Sequence, residues 1–366
     1  MNDGFIRKKI YNTILDWTNS KKGKPIKMLL QTTYRCNLYC LFCENLQSRK
    51  EGNFDYSKEL SLKEWYKIIK DSAELGVRSW WISGGGEPMC NKKITIGIIK
   101  KIKELPFKTE TCITTNGTEF NVEDIKELIK NQLDLVVFSI DSPNERNHDL
   151  LRGKKGTFKN AIKALHQFAI IKKKLNSRNP YIKISAILNN YNILNLTKFV
   201  KLAKENGCFE LSLCPLIIMK GTKNLIKKMN VQIKEINIDI IKEINAATIL
   251  AKKISLKFNI RLGISYESKN HKIIPNKILN SYCYEPYYFM LITPFGNISP
   301  CCTYGHGYNN FNIKNKNLND IWFSKEFESL RNDLCKGTMK YKCRNCELGF
   351  FSRDFIRKLL VDYKNG

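Results

Sequence analysis

Cys36, Cys40 and Cys43 stand in the run Gln31-Thr32-Thr33-Tyr34-Arg35-Cys36-Asn37-Leu38-Tyr39-Cys40-Leu41-Phe42-Cys43-Glu44. Spacings of three and then two residues let three thiolates converge on three irons of one [4Fe–4S] cubane, and no fourth cysteine follows closely. An iron without a protein ligand keeps an open position where a substrate or cofactor can bind. A cluster with four protein ligands usually only carries electrons, whereas one with three can bind a molecule and do chemistry on it. The competing readings are zinc or a group of buried thiols. Structural zinc favours four ligands, often as paired Cys-x2-Cys hooks, and an isolated x3/x2 triplet fits that poorly.

The Cys-x3-Cys-x2-Cys run, with Phe42 before its last cysteine, resembles the signature of the radical S-adenosylmethionine (SAM) enzymes. The resemblance implies a [4Fe–4S] cluster on Cys36, Cys40 and Cys43 whose open iron chelates the amino and carboxylate groups of SAM. One electron, delivered by a flavodoxin- or ferredoxin-type donor, would then cleave the sulfonium. The resulting 5′-deoxyadenosyl radical would take hydrogen from a substrate. In such chemistry the cofactor carries the difficult step, and the protein positions it and excludes water.

Further motifs lie at the ends of apolar runs. Ile82-Ser83-Gly84-Gly85-Gly86-Glu87-Pro88 has the glycines that let backbone approach a ligand closely. It resembles the family's Gly-Gly-Glu-Pro segment, which implies that Gly84, Gly85, Gly86 and Glu87 hold the methionyl amino group of SAM; an ordinary glycine turn is the bland alternative. Thr114-Thr115-Asn116-Gly117-Thr118 resembles the family's Thr-Asn-Gly turn and equally fits a plain Asn-Gly turn. Ser139-Ile140-Asp141-Ser142 puts Ser139 and Asp141 on one face of a strand. The resemblance implies that these two residues, with Arg152 of Arg152-Gly153, contact the SAM ribose and carboxylate; a guanidinium can grip a carboxylate with two bonds. His148 reads as a surface or core histidine, and Asn189-Asn190 as polar residues able to approach the ribose.

A second set of cysteines follows: Cys283, Cys301, Cys302, Cys335, Cys343 and Cys346. Cys283, Cys301, Cys343 and Cys346 together could fully ligate one more [4Fe–4S] cluster. The Cys-x12-Gly-x4-Cys spacing and the following Asn319-Asp320-Ile321-Trp322 resemble the SPASM/twitch auxiliary domain of radical SAM enzymes. The full seven-cysteine pattern, which holds two auxiliary clusters, is incomplete here, so one auxiliary cluster is expected. A four-cysteine zinc ribbon on the same residues is the alternative. Cys302 could replace Cys301. Cys335 could be a spare ligand, a buried thiol or a catalytic hydrogen donor. Cys90, Cys112, Cys208 and Cys214 are expected in the core, where free cysteine is usually found.

These motifs need strands to position them. β-rich apolar runs cover 28–33, 79–83, 109–115, 133–140, 182–188 and 209–213. Amphipathic runs at 62–75, 92–105, 122–130, 158–173 and 193–206 lie between them. Such alternation predicts parallel strands with right-handed crossovers. The fold class is therefore α/β: a partial (β/α)6 TIM-like barrel, with the site at the strand C-termini, and a small C-terminal α+β SPASM/twitch domain. The expected divisions are an N-terminal helical extension at 1–27, the barrel at 28–222, a helical connector at 223–275 with Ile236, Ile240, Ile241 and Ile244 on one face, and the auxiliary domain at 276–366, which ends in a helix near 350–363. Phe5, Ile6, Ile10, Ile14 and Leu15 give the extension an apolar stripe. Length allows one large or two ordinary domains, and no solenoid-period repeat interrupts the chain.

Thirteen cysteines without a secretory signal or a membrane-length apolar run point to a cytoplasmic protein using its thiols for metal or redox chemistry. The net charge of +28 accompanies abundant Lys, Asn and Ile. The lysines are scattered, with Lys172-Lys173-Lys174 the densest run, so nucleic acid is not the expected partner. Three functions compete. The leading one is a radical SAM oxidoreductase acting on a small polar, sugar-like or phosphorylated substrate and oxidising it through the auxiliary cluster. The second is a ribosomal-peptide maturase or epimerase; the first barrel strand near Met28 leaves no room for a leader-binding domain, which counts against it. The third is a non-catalytic metal-binding protein.

Overall fold

The computed structural model describes residues 3–19, 21–216, 241–264, 283–302 and 311–338, with 343, 346, 355, 356 and 359. The apolar runs become strands β1 (Lys27–Leu30), β2 (Ser79–Ile82), β3 (Glu110–Thr115), β4 (Leu135–Ser139), β5 (Tyr181–Leu188) and β6 (Glu210–Pro215), each hydrogen-bonded in parallel to the next. Between them run α3 (Leu62–Leu75), α4 (Lys92–Lys103), α5 (Val122–Lys130), α6 (Glu145–Arg152), α7 (Thr157–Lys174) and α8 (Leu196–Glu205). Capping boxes at Ser61/Glu64 and Asn121/Asp124 fix the starts of α3 and α5 by satisfying backbone N–H groups that have no partner within the helix. Trp65, Trp80, Phe138, Phe168 and Phe199 fill the layer between strands and helices.

The sheet is wider than the six strands expected. Its order is β7-β6-β5-β4-β3-β2-β1-β8-β9, where β7 is Arg261–Ile264, β8 is Phe289–Ile292 and β9 is Ile298–Ser299. β7 follows α9 (Ile241–Lys257) and adds in parallel to β6. β8 adds in parallel to the other side of β1, and β9 turns back antiparallel to β8. The C-terminal module is thus continuous with the barrel sheet through Phe-Met-Leu-Ile, four buried residues whose burial on both faces suits an interior strand. Ile236 and Ile240, and most of the final helix expected over 350–363, lie outside the described residues. No helix among the described residues is long and apolar enough to cross a membrane.

The N-terminal helix α1 (Asp3–Thr18) is no free extension. Its Ile6, Ile10 and Ile14 are buried with Ile26, Tyr284, Tyr287, Phe289 and Leu291 in a second core. Each isoleucine contributes about 2 kcal/mol by leaving water. Trp17 Nε1 donates to the Tyr287 carbonyl at 2.9 Å. Two further short helices follow in this module, α10 (Glu285–Tyr288) and α11 (Leu318–Trp322), and then α12 (Lys325–Lys336). Arg331 of α12 is buried, donates to the carbonyls of Pro286 and Trp322, and lies 4.2 Å from the centre of the Trp322 ring. Replacing Arg331 with Met should strip these buried acceptors and cost about 3 kcal/mol in urea denaturation. An unchanged midpoint would show that the module does not depend on this contact.

Candidate active site

The loop after β1 carries the cysteine triplet, and several backbone locks shape it. Gly86 N donates to Thr33 O and Glu87 N to Arg35 O, each at 2.8 Å. A Cβ on Gly86 would lie 2.0 Å from Arg35 O, and one on Gly85 2.8 Å from Thr33 O. Gly84 and Gly85 also have positive φ, a conformation open to glycine at little cost. The glycine turn therefore presses on the cysteine loop itself. Asn45 Nδ2 donates to Gly85 O at 2.9 Å and closes the same contact from the far end of the loop. At the entry, Glu59 accepts from Thr33 Oγ1 and Tyr34 N, each at 2.8 Å, and from Arg35 Nη1 at 2.7 Å.

On the other side the loop bonds to the end of α6. Tyr39 N donates to Arg152 O and Leu41 N to Leu151 O. Gly153 sits against Tyr39 so closely that a Cβ would meet its carbonyl oxygen at 2.3 Å. The Arg152 side chain turns back into the site. Nη1 is 3.7 Å from Cys40 Sγ, Nη2 donates to Ser139 O at 2.8 Å, and the guanidinium lies 5.7 Å from the Phe42 ring centre. Nη2 also lies 2.7 Å from Asp141 Oδ2, a charge contact without hydrogen-bond alignment. Asp141 Oδ1 accepts from Ile187 N at 3.0 Å, and Asn192 Nδ2 donates to the Asp141 carbonyl at 2.7 Å. Ser139, Asp141 and Arg152 are thus brought together, with Cys40 and the Phe42 ring beside the guanidinium.

Glu87 is buried and already engaged. It accepts from Met89 N at 3.1 Å, Thr115 Oγ1 at 2.6 Å and Asn116 N at 2.7 Å, tying the end of β2 to the end of β3. Burial pushes its carboxyl above the usual range, and these bonds oppose the rise. Asn116 Nδ2 donates to Asn37 Oδ1 at 2.9 Å, so the Thr-Asn-Gly turn reaches the cysteine loop directly. Asn189 is buried in a local turn, with Nδ2 on Ile187 O and Oδ1 on Tyr191 N. His148 is a core histidine whose Nδ1 accepts from Asp141 N at 3.2 Å.

One cysteine departs from expectation. Cys90 was expected in the barrel core, but it lies half-buried in the turn Pro88–Asn91 at the strand-end face. Burial, with Glu87 and Cys36 nearby, raises its thiol to about 12, and the Asn37 N–H opposes this. Cys112 and Cys208 are buried and Cys214 is half-buried on β6. Cys283, Cys301 and Cys343 all pack against Leu330 and Leu334 of α12. Cys346 N donates to Cys343 O at 3.3 Å, the turn of a two-ligand hook. Cys335 is half-buried on α12, and Cys302 is exposed. Sequence reasoning passed over Arg49, Glu59, Asn37, Asn45 and Asn192; only their polarity beside the motifs marked them.

The residues fit an iron–sulfur cluster with SAM. Among the described residues no three Cys, His, Asp or Glu side chains are yet drawn together as ligands, so the fit rests on the chemistry of the donors. Burial lifts the Cys36 thiol to about 11, against the Leu38 N–H and Arg49. Burial also lifts Cys40, against Arg152. Such thiols release their protons on binding metal. Arg152 beside Cys40 and Arg49 beside Cys43 favour the thiolate, the form that binds metal. Asp141 Oδ2 and Arg152 Nε are buried polar atoms without a hydrogen-bond partner in the protein, an arrangement suited to a bound polar group such as SAM.

Two stability tests follow. Gly86→Ala should cost about 3 kcal/mol through backbone crowding, while Gly4→Ala, with open space around it, should stay within about 0.5 kcal/mol of the parent. Equal stabilities would refute the close approach. Burial, and then Arg152, depress His148 to about 3. An unfolded histidine titrates near about 6.5, so between these values the unfolded chain binds a proton that the folded chain does not. Stability from this group is complete above pH ~6.5 and is lost as pH falls toward 3, with about 2 kcal/mol gone by pH ~5. His148→Asn should flatten that slope in urea titrations at the two pH values; an unaltered slope would contradict the buried neutral ring.

Comparison with known proteins agrees with this chemistry. The family model described as the radical SAM superfamily matches residues 30–174, and that of the SPASM iron–sulfur cluster-binding domain matches 283–347. GTP 3′,8-cyclase of Clostridium perfringens strain 13 is 30% identical over 190 residues, which cover 51% of this chain and 54% of that protein. The chain therefore spans about half the length of that relative. PqqA peptide cyclase of Methylocella silvestris is 24% identical over 337 residues, 88% of this chain and 80% of that protein. Among solved structures, Streptococcus suis SuiB superposes with a TM-score of 0.67 at 20% identity, covering 86% of this chain and 69% of its own; it has also been solved with S-adenosylmethionine and with its precursor peptide SuiA. The enzyme anSMEcpe, solved with bound AdoMet and with a peptide, gives 0.62 at 17% identity, covering 90% and 89%. The chain thus carries a radical SAM domain over residues 30–174 and a C-terminal SPASM iron–sulfur cluster-binding domain over 283–347.

Proposed function

We propose that this chain uses radical SAM chemistry to modify a peptide. The observation that carries this reading is the agreement with PqqA peptide cyclase over 88% of the chain and 80% of the relative. The peptide-bound structures of SuiB and anSMEcpe support it at the level of the fold. The second reading, a small polar, sugar-like or phosphorylated substrate, is favoured by the resemblance to GTP 3′,8-cyclase, which extends over about half of each chain.

Cys36, Cys40 and Cys43 would hold the SAM cluster, and Cys283, Cys301, Cys343 and Cys346 a second one that stores electrons. When bound, the first cluster and SAM supply a 5′-deoxyadenosyl radical able to abstract hydrogen. The protein's own part is positioning. The Gly84, Gly85 and Gly86 turn fixes the cysteine loop and would present backbone to the methionyl amino group. Ser139, Asp141 and Arg152 form the polar wall on the β4 side, and Asn116 closes the β3 side. Glu87 acts through Asn116 and Thr115, whose groups it holds. Phe42 covers the Arg152 guanidinium and limits water. Cys335 is a hydrogen donor only in the epimerase version of the peptide reading. An acidic flavodoxin or ferredoxin, attracted by the excess of positive charge, is the natural electron source.

Reduced, reconstituted protein should convert SAM to methionine and 5′-deoxyadenosine, and Cys40→Ala should abolish this. No 5′-deoxyadenosine from fully loaded protein would remove the enzyme reading. To separate the substrates, the enzyme is given a perdeuterated extract of the cells that make it, and deuterium is sought in 5′-deoxyadenosine by mass spectrometry. The peptide reading predicts transfer that protease treatment of the extract destroys; transfer that survives protease would favour the small-molecule reading.

A further inference from the structure

Arg49 lies in the last turn of α2 (Leu46–Lys50), immediately after the cysteine loop. Its Nη2 is 3.6 Å from Cys43 Sγ and 3.4 Å from Leu38 O. The contact therefore joins the third cysteine to the segment between the first two. Its positive charge acts on Cys43, Cys36 and Cys40 together. Arg49 differs from the other arginines around the loop. Arg152 is matched by Asp141 and Arg35 by Glu59, but among the described residues no carboxylate forms an ion pair with Arg49. Its charge is left facing the sulfurs.

We propose that Arg49 is a positioning residue for the three-cysteine cluster, holding the Cys43 sulfur against the Leu38 carbonyl and raising the cluster's reduction potential with an unneutralised cation. The inference rests on the assignment of a cluster to Cys36, Cys40 and Cys43. Adding an electron increases the negative charge on iron and sulfur, and a nearby N–H donor and cation favour that state. Half-burial of the guanidinium limits screening by solvent and salt. Arg152 also approaches a cysteine sulfur, but its pairing with Asp141 makes the local sum near neutral. The uncompensated field is that of Arg49.

The test is an anaerobic redox titration of the holoprotein followed by electron paramagnetic resonance, with iron measured on the same samples. Iron analysis of the parent comes first, because a parent chain without iron would overturn the cluster assignment before Arg49 is addressed. Arg49→Gln should keep its iron and become about tenfold harder to reduce, a fall of about 59 mV for one electron. Arg49→Lys should lie closer to the parent, and Lys50→Gln, which removes a neighbouring exposed charge, should not shift the potential. An Arg49→Gln protein with full iron and the parental potential would overturn the proposal. If Arg49→Gln fails to load iron, Arg49→Lys decides: loading restored by the retained charge supports the proposal, and failure of both overturns it.

Discussion

A single buried guanidinium connects the cysteine loop to the sheet. Arg152 touches Cys40, the Ser139 carbonyl, Asp141 and the Phe42 ring, and its own carbonyl accepts from Tyr39. Burial works against its charge, and Asp141 and Cys40 more than restore it. Breaking such a pair by removing one partner typically costs about 3–5 kcal/mol, because the remaining charge is left buried and alone. The loop thus has a strong reason to stay where α6 and β4 put it. Glu87 plays the matching part on the other flank, joining the ends of β2 and β3 through three accepted bonds. Between these two buried charges the triplet is held at the C-terminal end of a parallel sheet, the end at which such sheets place their chemistry.

The rest of the architecture keeps β1 still. It is paired on both sides, with β2 and with β8, so the strand that leads into the cysteines is interior to the sheet. β8 belongs to the C-terminal module, and the turn after it reaches back to the cysteine loop. Phe295 meets the Tyr34 ring edge-on at 5.0 Å, and Pro294 O accepts from Leu60 N at 2.7 Å. Tyr34 also stacks on Phe54 at 4.1 Å. The N-terminal helix completes the arrangement by sharing a core with the same module. The two cysteine regions are therefore parts of one packed body rather than beads joined by a linker.

Much of this was legible in the sequence. The helices over Leu62–Leu75 and Val122–Lys130 have the bounds their amphipathic patterns gave, because capping boxes mark where they begin. The six strands lie where β-rich apolar runs predicted them. The place of Phe289–Ile292 was not legible: four apolar residues do not say which strand they pair with, and the partner is distant in sequence. The glycine motif was visible, but its fit against Arg35 O and Thr33 O is a property of two backbones, which no side-chain pattern records. Arg49 and Glu59 look like ordinary solvated charges until the loop folds over them. Cys90 was read as core by the habits of free cysteine, yet the proline turn carries it to the strand-end face.

The central claim is that two separate sets of cysteines hold two clusters. The most direct measurement is metal content of anaerobically reconstituted protein, compared with the variant in which Cys36, Cys40 and Cys43 are all alanine. The account predicts about eight irons per chain in the parent and about four in the variant, with intact secondary structure in both. Full iron in the variant, or zinc as the main metal in the parent, would contradict it.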